Sequence, residues 1–177
     1  MDMDFESSTR VTEEEYIEMI RLKTSVLLGC ALEFGAIIAN RDERTRQLLY
    51  DFGVQLGIAF QIQDDILDLY ADPEKFGKQV GGDILSNKKT LLLLTAQRLA
   101  ESNSDERVGQ LLAMEATPEK VAYAKELFEE LGAVTEVKQK MELFYQEALN
   151  AFNLLDIPDE KKIPLFQLAE FLLNRER

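Results

Sequence analysis

The sequence predicts an all-α fold, helices packed antiparallel through short connections. Apolar residues recur at three- and four-residue steps along almost the whole chain, and no stretch sustains strand alternation. Capping residues, prolines and glycines interrupt that pattern at helix-length intervals. The chain has 177 residues, 46% of them apolar, a match to one domain with a real core and too apolar for a disordered chain.

Thr12 followed by Glu13, Glu14 and Glu15 starts the first helix, a hydroxyl cap with acids at the positive end. Ile17, Ile20, Thr24, Leu27, Ala31, Phe34 and Ile38 then fall on one face, expected to be the buried one. Asn40 is a stop and Asp42 a cap for a second helix running to about Tyr70, which Asp72-Pro73 ends. A loop from Pro73 to Gly82 carries Gly77, Gly81 and Gly82, and the next helix is expected over Lys89 to Ala100. Ser102 to Asp105 reads as a turn. Thr117-Pro118-Glu119 opens a helix that should break near Gly132. A longer amphipathic helix follows, with Val134, Val137, Met141, Phe144, Tyr145, Ala148 and Phe152 on its apolar side. Ile157-Pro158 closes it, and Pro164 is expected in the first turn of a last helix through Leu173. There is no internal repeat, low-complexity tract or linker.

With 33 acids against 20 bases, the formal net charge is −13. Such a surface repels nucleic-acid backbones and anionic lipid heads, so a phosphorylated ligand would need a bridging cation. A single cysteine, Cys30, excludes a disulfide within the chain. Histidine is absent, which removes His-based triads and most zinc sites and favours a hard, oxygen-coordinated metal. No signal peptide and no membrane-spanning run is evident, so a cytoplasmic location is expected.

The informative segment is Gly57-Ile58-Ala59-Phe60-Gln61-Ile62-Gln63-Asp64-Asp65-Ile66-Leu67-Asp68. No basic residue occurs between Arg46 and Lys75. Asp64 and Asp68 stack on one helical face with Asp65 about 100° round, and Gln61 lies one turn before Asp64. Like charges at this spacing repel, more so when desolvated, and no lysine or arginine stands one turn away to relieve them. The apolar neighbours Phe60, Ile62, Ile66, Leu67 and Leu69 suggest that much of this helix is inside the protein. Three such carboxylates call for a cation, and Mg²⁺ retaining some waters suits them. A solvated acidic face explains the same spacing.

Lys23-Thr24 lies on the first helix, Phe76-Gly77-Lys78 in the glycine-rich loop, and Asn87-Lys88-Lys89-Thr90 after Gly81-Gly82-Asp83. Lysines around a glycine-rich loop can hold a phosphate, and a snorkelling Lys23 and a plain surface loop fit equally.

In order, KT, FQxxDDxxD, GK, GGD and KxT resemble the C-terminal half of the trans-isoprenyl (polyprenyl) diphosphate synthases. The likeness runs from about Asp4 to Arg177. It implies the all-α isoprenoid synthase fold, with two aspartate-rich helices facing across a cavity and binding an allylic diphosphate through Mg²⁺. By this resemblance Asp64, Asp65 and Asp68 match metal ligands, with Asp64 and Asp65 the expected direct contacts, and Lys23, Lys78 and Lys88 match lysines on the allylic diphosphate. Thr24 and Gln61 match polar residues beside a developing carbocation, Phe60 the wall of the second substrate's site, and Asp83 an acid supporting the metal ligands. The implied reaction condenses an allylic diphosphate with isopentenyl diphosphate to a longer polyprenyl diphosphate. The implied assembly of the full-length enzyme is a homodimer.

Two departures from the pattern stand out. Asn87 replaces a glycine usual before the lysine, and Leu92 or Leu93 replaces a proline common after the threonine. The first aspartate-rich cluster and the isopentenyl diphosphate site of such enzymes have no match here, and Met1 to Glu6 resembles the middle of a family helix. The expectation is therefore the C-terminal part of a single synthase domain over 1–177, inactive alone. The alternative is a non-catalytic helical subunit or scaffold that pairs with a full-length synthase.

Overall fold

The computed structural model describes residues 11–71 and 80–173, which form helices and connections with no strand among them. In chain order these are α1 (Glu13–Ile20), a π segment (Arg21–Ser25), α2 (Val26–Ile38), α3 (Glu43–Tyr70), α4 (Gly82–Leu85), α5 (Leu91–Ser102), α6 (Arg107–Ala113), α7 (Pro118–Glu130), α8 (Ala133–Asn153) and α9 (Asp159–Leu173). None of them is long and apolar enough to cross a membrane. Asp72, Pro73, Gly77 and Lys78 lie outside the described residues.

Local signals explain most boundaries. At α1 the Glu15 amide donates to Thr12 Oγ1 and the Thr12 amide to Glu15 Oε2, a reciprocal capping box. At α3 Asp42 accepts from the amide and hydroxyl of Thr45, both at 2.9 Å. Asn40 and Gly132 both take positive φ, 52° and 79°, the left-handed ends of α2 and α7. α5 begins at Leu91, two residues later than the pattern suggests, because Thr90 is its cap and accepts from the Leu93 amide. Thr117 precedes α7 in an extended conformation, but its side chain caps no amide of that helix.

Two sequence expectations are corrected. Pro164 lies inside α9, not in its first turn, because the helix already starts at Asp159 behind Pro158. Proline has no N–H, so the helix lacks the bond that residue 164 would donate to the Glu160 carbonyl. The face of Leu27, Ala31, Phe34 and Ile38 is exposed, not buried. The buried line is instead Tyr16, Ile20, Ser25, Gly29 and Ala36. Its step from Ile20 to Ser25 is five residues, the hydrogen-bond span of a π turn, and the π segment Arg21–Ser25 re-phases the helix.

The described residues divide into two compact units, 11–17 with 62–71 and 80–139, and 18–61 with 140–173. In the second, Ala36, Leu49, Phe52, Leu56, Ala148, Ala151, Phe152, Leu155 and Ala169 make one apolar core. Its Phe52 and Phe152 rings are 5.3 Å apart, tilted by 40°. Here α2 and α3 approach at backbone distance. A β-carbon on Gly53 would lie 2.8 Å from Gly29 Cα, and one on Gly57 2.9 Å from Ser25 Cα. Small residues four apart on both helices, Ser25 and Gly29 against Gly53 and Gly57, permit that approach. In the first unit, Leu91 to Ala96 are all buried, as suits a helix apolar on every side. Arg98 joins Glu13 at 2.7 Å and also pairs with Glu136, linking α5 to α1 and α8.

Candidate diphosphate and metal site

In the first unit, the end of α3 carries the acids. Asp65 is the buried member, 8% exposed. Its Oδ2 accepts the Tyr16 hydroxyl at 2.5 Å and the Leu91 amide at 3.3 Å. The Leu91 amide opens α5, so it has no partner within its own helix, and a carboxylate answers it. Burial still dominates, and the Asp65 carboxyl is pushed up to about 7 against those two hydrogen bonds. Burial likewise raises the Tyr16 hydroxyl far above its ordinary value, and the Asp65 charge adds to it.

Asp68 is half-buried and accepts the Asp83 amide at 3.0 Å, while the Gly81 amide donates to its carbonyl. Burial raises its carboxyl, and the charges of Asp83 and Asp64 add to that against the hydrogen bond. Asp64 is exposed. Lys88 Nζ donates to both oxygens of Asp83, at 2.9 and 2.8 Å. Burial works against its charge, but the Asp83 hydrogen bond and the charges of Asp83, Asp65 and Asp68 hold its pKa above the ordinary lysine value.

Gly81 shapes the turn between these groups. Its φ is 80°, and a β-carbon there would press to 2.7 Å on Val121. Gly82 leaves room beside Asp68 Oδ1, 3.6 Å from where a β-carbon would stand. Both follow from the GGD run, in which glycine tolerates the left-handed bend that returns the chain to Asp68.

Among the described residues no three acids converge on one metal position. Mg²⁺ dehydrates reluctantly and is usually held by one or two carboxylates plus phosphate oxygens, so two carboxylates would suffice for it. The donor set fits such an ion. Asp64 and Asp68, on one helical face, offer hard oxygens; burial lifts the Asp68 carboxyl, the Asp83 and Asp64 charges add to that, and a divalent cation would offset both.

In the second unit, Thr24 and Gln61 come together, with Thr24 Oγ1 donating to Gln61 Oε1 across a long 3.5 Å. The close crossing explains it, since Thr24 adjoins Ser25 and Gln61 lies one turn beyond Gly57. Lys23 and Thr24 ride on the π segment, a helical irregularity frequent at functional sites. Lys23 is exposed and Phe60 half-buried. Tyr16 escaped sequence reasoning as a partner of the acids. Only its place one turn into an acidic helix start marked it, a signal that reads equally as ordinary core.

Residues 1–131 match the family model described as polyprenyl synthetase. The short chain isoprenyl diphosphate synthase of Methanothermobacter thermautotrophicus is 38% identical over 177 residues, covering 99% of this chain and 54% of that one. A crystal structure of a geranylgeranyl pyrophosphate synthase superposes with a TM-score of 0.86 at 41% identity, over 99% of this chain and 55% of that one. The polyprenyl synthase from Caulobacter crescentus CB15, complexed with calcium and isoprenyl diphosphate, gives a TM-score of 0.81 at 29% identity, over 99% and 53%. The chain thus spans about half the length of the relatives it matches.

Proposed function

The chain belongs to the polyprenyl synthetase family, and on that premise we propose that it supplies one side of a Mg²⁺-dependent diphosphate site in a prenyltransferase. The reaction is the condensation of an allylic diphosphate with isopentenyl diphosphate. One observation carries the proposal: among the described residues Lys88 donates to Asp83 and feels the charges of Asp83, Asp65 and Asp68, while burial raises the Asp65 and Asp68 carboxyls. The Caulobacter relative, solved with calcium and isoprenyl diphosphate, supports the same ligand chemistry.

Asp64 and Asp68 would hold Mg²⁺, with Asp65 behind them anchoring the helix through Tyr16 and Leu91. Bound there, Mg²⁺ would supply positive charge for the diphosphate leaving group. Lys88, whose ammonium Asp83 keeps beside the acids, would add a second positive charge for the phosphate oxygens. On the family pattern the Thr24 and Gln61 oxygens would stabilise a developing allylic cation, and Phe60 would help exclude water. Lys23 and Lys78 take the remaining diphosphate contacts on the family pattern. No histidine base is needed. Homodimeric assembly and a cytoplasmic location belong to the same family-based proposal.

The test is prenyl transfer from an allylic diphosphate to labelled isopentenyl diphosphate, with this chain mixed with the N-terminal half of a related synthase. Product is expected with Mg²⁺ and lost on its removal or in Asp64→Ala. A folded mixture that makes no product counts against the proposal and favours a scaffold role.

A further inference from the structure

Lys120 of α7 is a buried lysine, 1% exposed, whereas every other described lysine is exposed or only partly buried. Among the described residues its ammonium meets two oxygens, Asn87 Oδ1 at 2.7 Å and the Met114 carbonyl at 3.2 Å, and neither is a carboxylate. Burying an ammonium on neutral acceptors is costly, and an apolar side chain of the same length would fill the space without that cost. The lysine is therefore explained by what it holds.

It holds an amide of fixed orientation. An ammonium only donates and a carbonyl only accepts, so Asn87 must turn Oδ1 to Lys120 and Nδ2 to the Leu112 carbonyl, 3.1 Å away. Asn87 itself has φ of 53°, a conformation glycine takes more easily. Its side-chain bonds to α7 and to the end of α6 give asparagine a reason to stand there. The next residue is Lys88, whose amide donates to the Asp83 carbonyl at 2.9 Å, and whose carbonyl accepts the Thr90 amide at 2.9 Å.

We propose that Lys120 and Asn87 are positioning residues, a lock between a buried lysine and an exposed asparagine that fixes the backbone of Lys88 and so aims its ammonium at the diphosphate side of the acidic helix. The inference rests on the assignment of Lys88 to a diphosphate. It makes the lysine pre-organised, so that little ordering remains to be done when the anion arrives.

The test uses Lys120→Met and Asn87→Gly in the full chain, each with and without Lys88→Ala. Glycine tolerates the positive φ of residue 87, so Asn87→Gly removes the side-chain amide without straining the turn and decides the matter if Lys120→Met does not fold. Hydrogen exchange at the Lys88 and Thr90 amides should accelerate by about tenfold or more, while the amides of α5 beyond its first turn stay protected. Calorimetric affinity for inorganic pyrophosphate with Mg²⁺ should fall by about tenfold, the scale of lost support behind a binding group. In the Lys88→Ala background the same substitutions should cost nothing further, an outcome a merely structural lysine would not give. Unchanged exchange, unchanged affinity, or an equal loss in both backgrounds overturns the lock while leaving Lys88 its role. A Lys88→Ala protein that binds like the parent, or a parent that does not bind, overturns the assignment of Lys88 and the lock with it.

Discussion

The Tyr16 hydroxyl lies 2.5 Å from Asp65 Oδ2, tying α1 to the acidic end of α3. Tyr16→Phe deletes that donor and leaves a buried carboxylate with the Leu91 amide alone. The loss should be about 1–3 kcal/mol of stability, read from urea unfolding. It should be larger at pH 8 than at pH 5, because the bond is strongest to the ionised acid.

Asp65 also gives the fold a pH dependence of definite sign. Burial raises its carboxyl to about 7 in the folded state, while an unfolded aspartate titrates at about 3.9. Between those values the folded chain binds more protons than the unfolded one, so stability falls as pH rises. The contribution is fully present below about pH 4 and lost above about pH 7. Asp65→Asn should flatten this part of the profile, checked by urea midpoints across the window. A profile no flatter than that of the parent would contradict the assignment.

The crossing of α2 and α3 predicts opposite outcomes for two glycines. Gly57→Ala drives a methyl against the Ser25 backbone at 2.9 Å and should destabilise by about 1–3 kcal/mol. Gly35 meets nothing within 4 Å. Gly35→Ala, within α2, should be neutral or stabilise by up to about 1 kcal/mol. Thermal unfolding of the two variants separates them.

Much of this was legible because it is local. Asp42, Asn40, Thr12 and Gly132 act through capping bonds and backbone conformation set within a few residues, and the helices begin and end where they say. The buried face of the first helix was not legible, because the five-residue step from Ile20 to Ser25 is invisible to a 3.6-residue count. The small residues gave a clue, since Ser25, Gly29, Gly53 and Gly57 share a four-residue spacing that marks close approach. The acids were found from their missing cations, but which one is buried depends on Tyr16 and Leu91, 49 and 26 residues away. Lys120 carried no signal at all, since nothing in its neighbours distinguishes a buried lysine from an exposed one.

The re-phased helix leaves Leu27, Phe34 and Ile38 exposed on one face of α2, at 75%, 62% and 81%. An apolar stripe of that kind favours association. Phe34→Lys with Ile38→Lys should reduce self-association in light scattering without lowering the unfolding midpoint, as neither side chain is part of a core.

The central claim is that the acids of α3 and Lys88 hold a diphosphate through Mg²⁺, and the most direct measurement is the melting temperature with each ligand and with both. Mg²⁺ and inorganic pyrophosphate together should stabilise the chain more than the sum of their separate effects, because the ion joins two anions. At a hundredfold excess over Kd the gain is about 2.7 kcal/mol. Asp64→Ala and Asp68→Ala should each abolish the joint shift, and Lys88→Ala should reduce it. A folded protein whose melting temperature is unmoved by both ligands together, or a joint shift that survives loss of both aspartates, would contradict the claim.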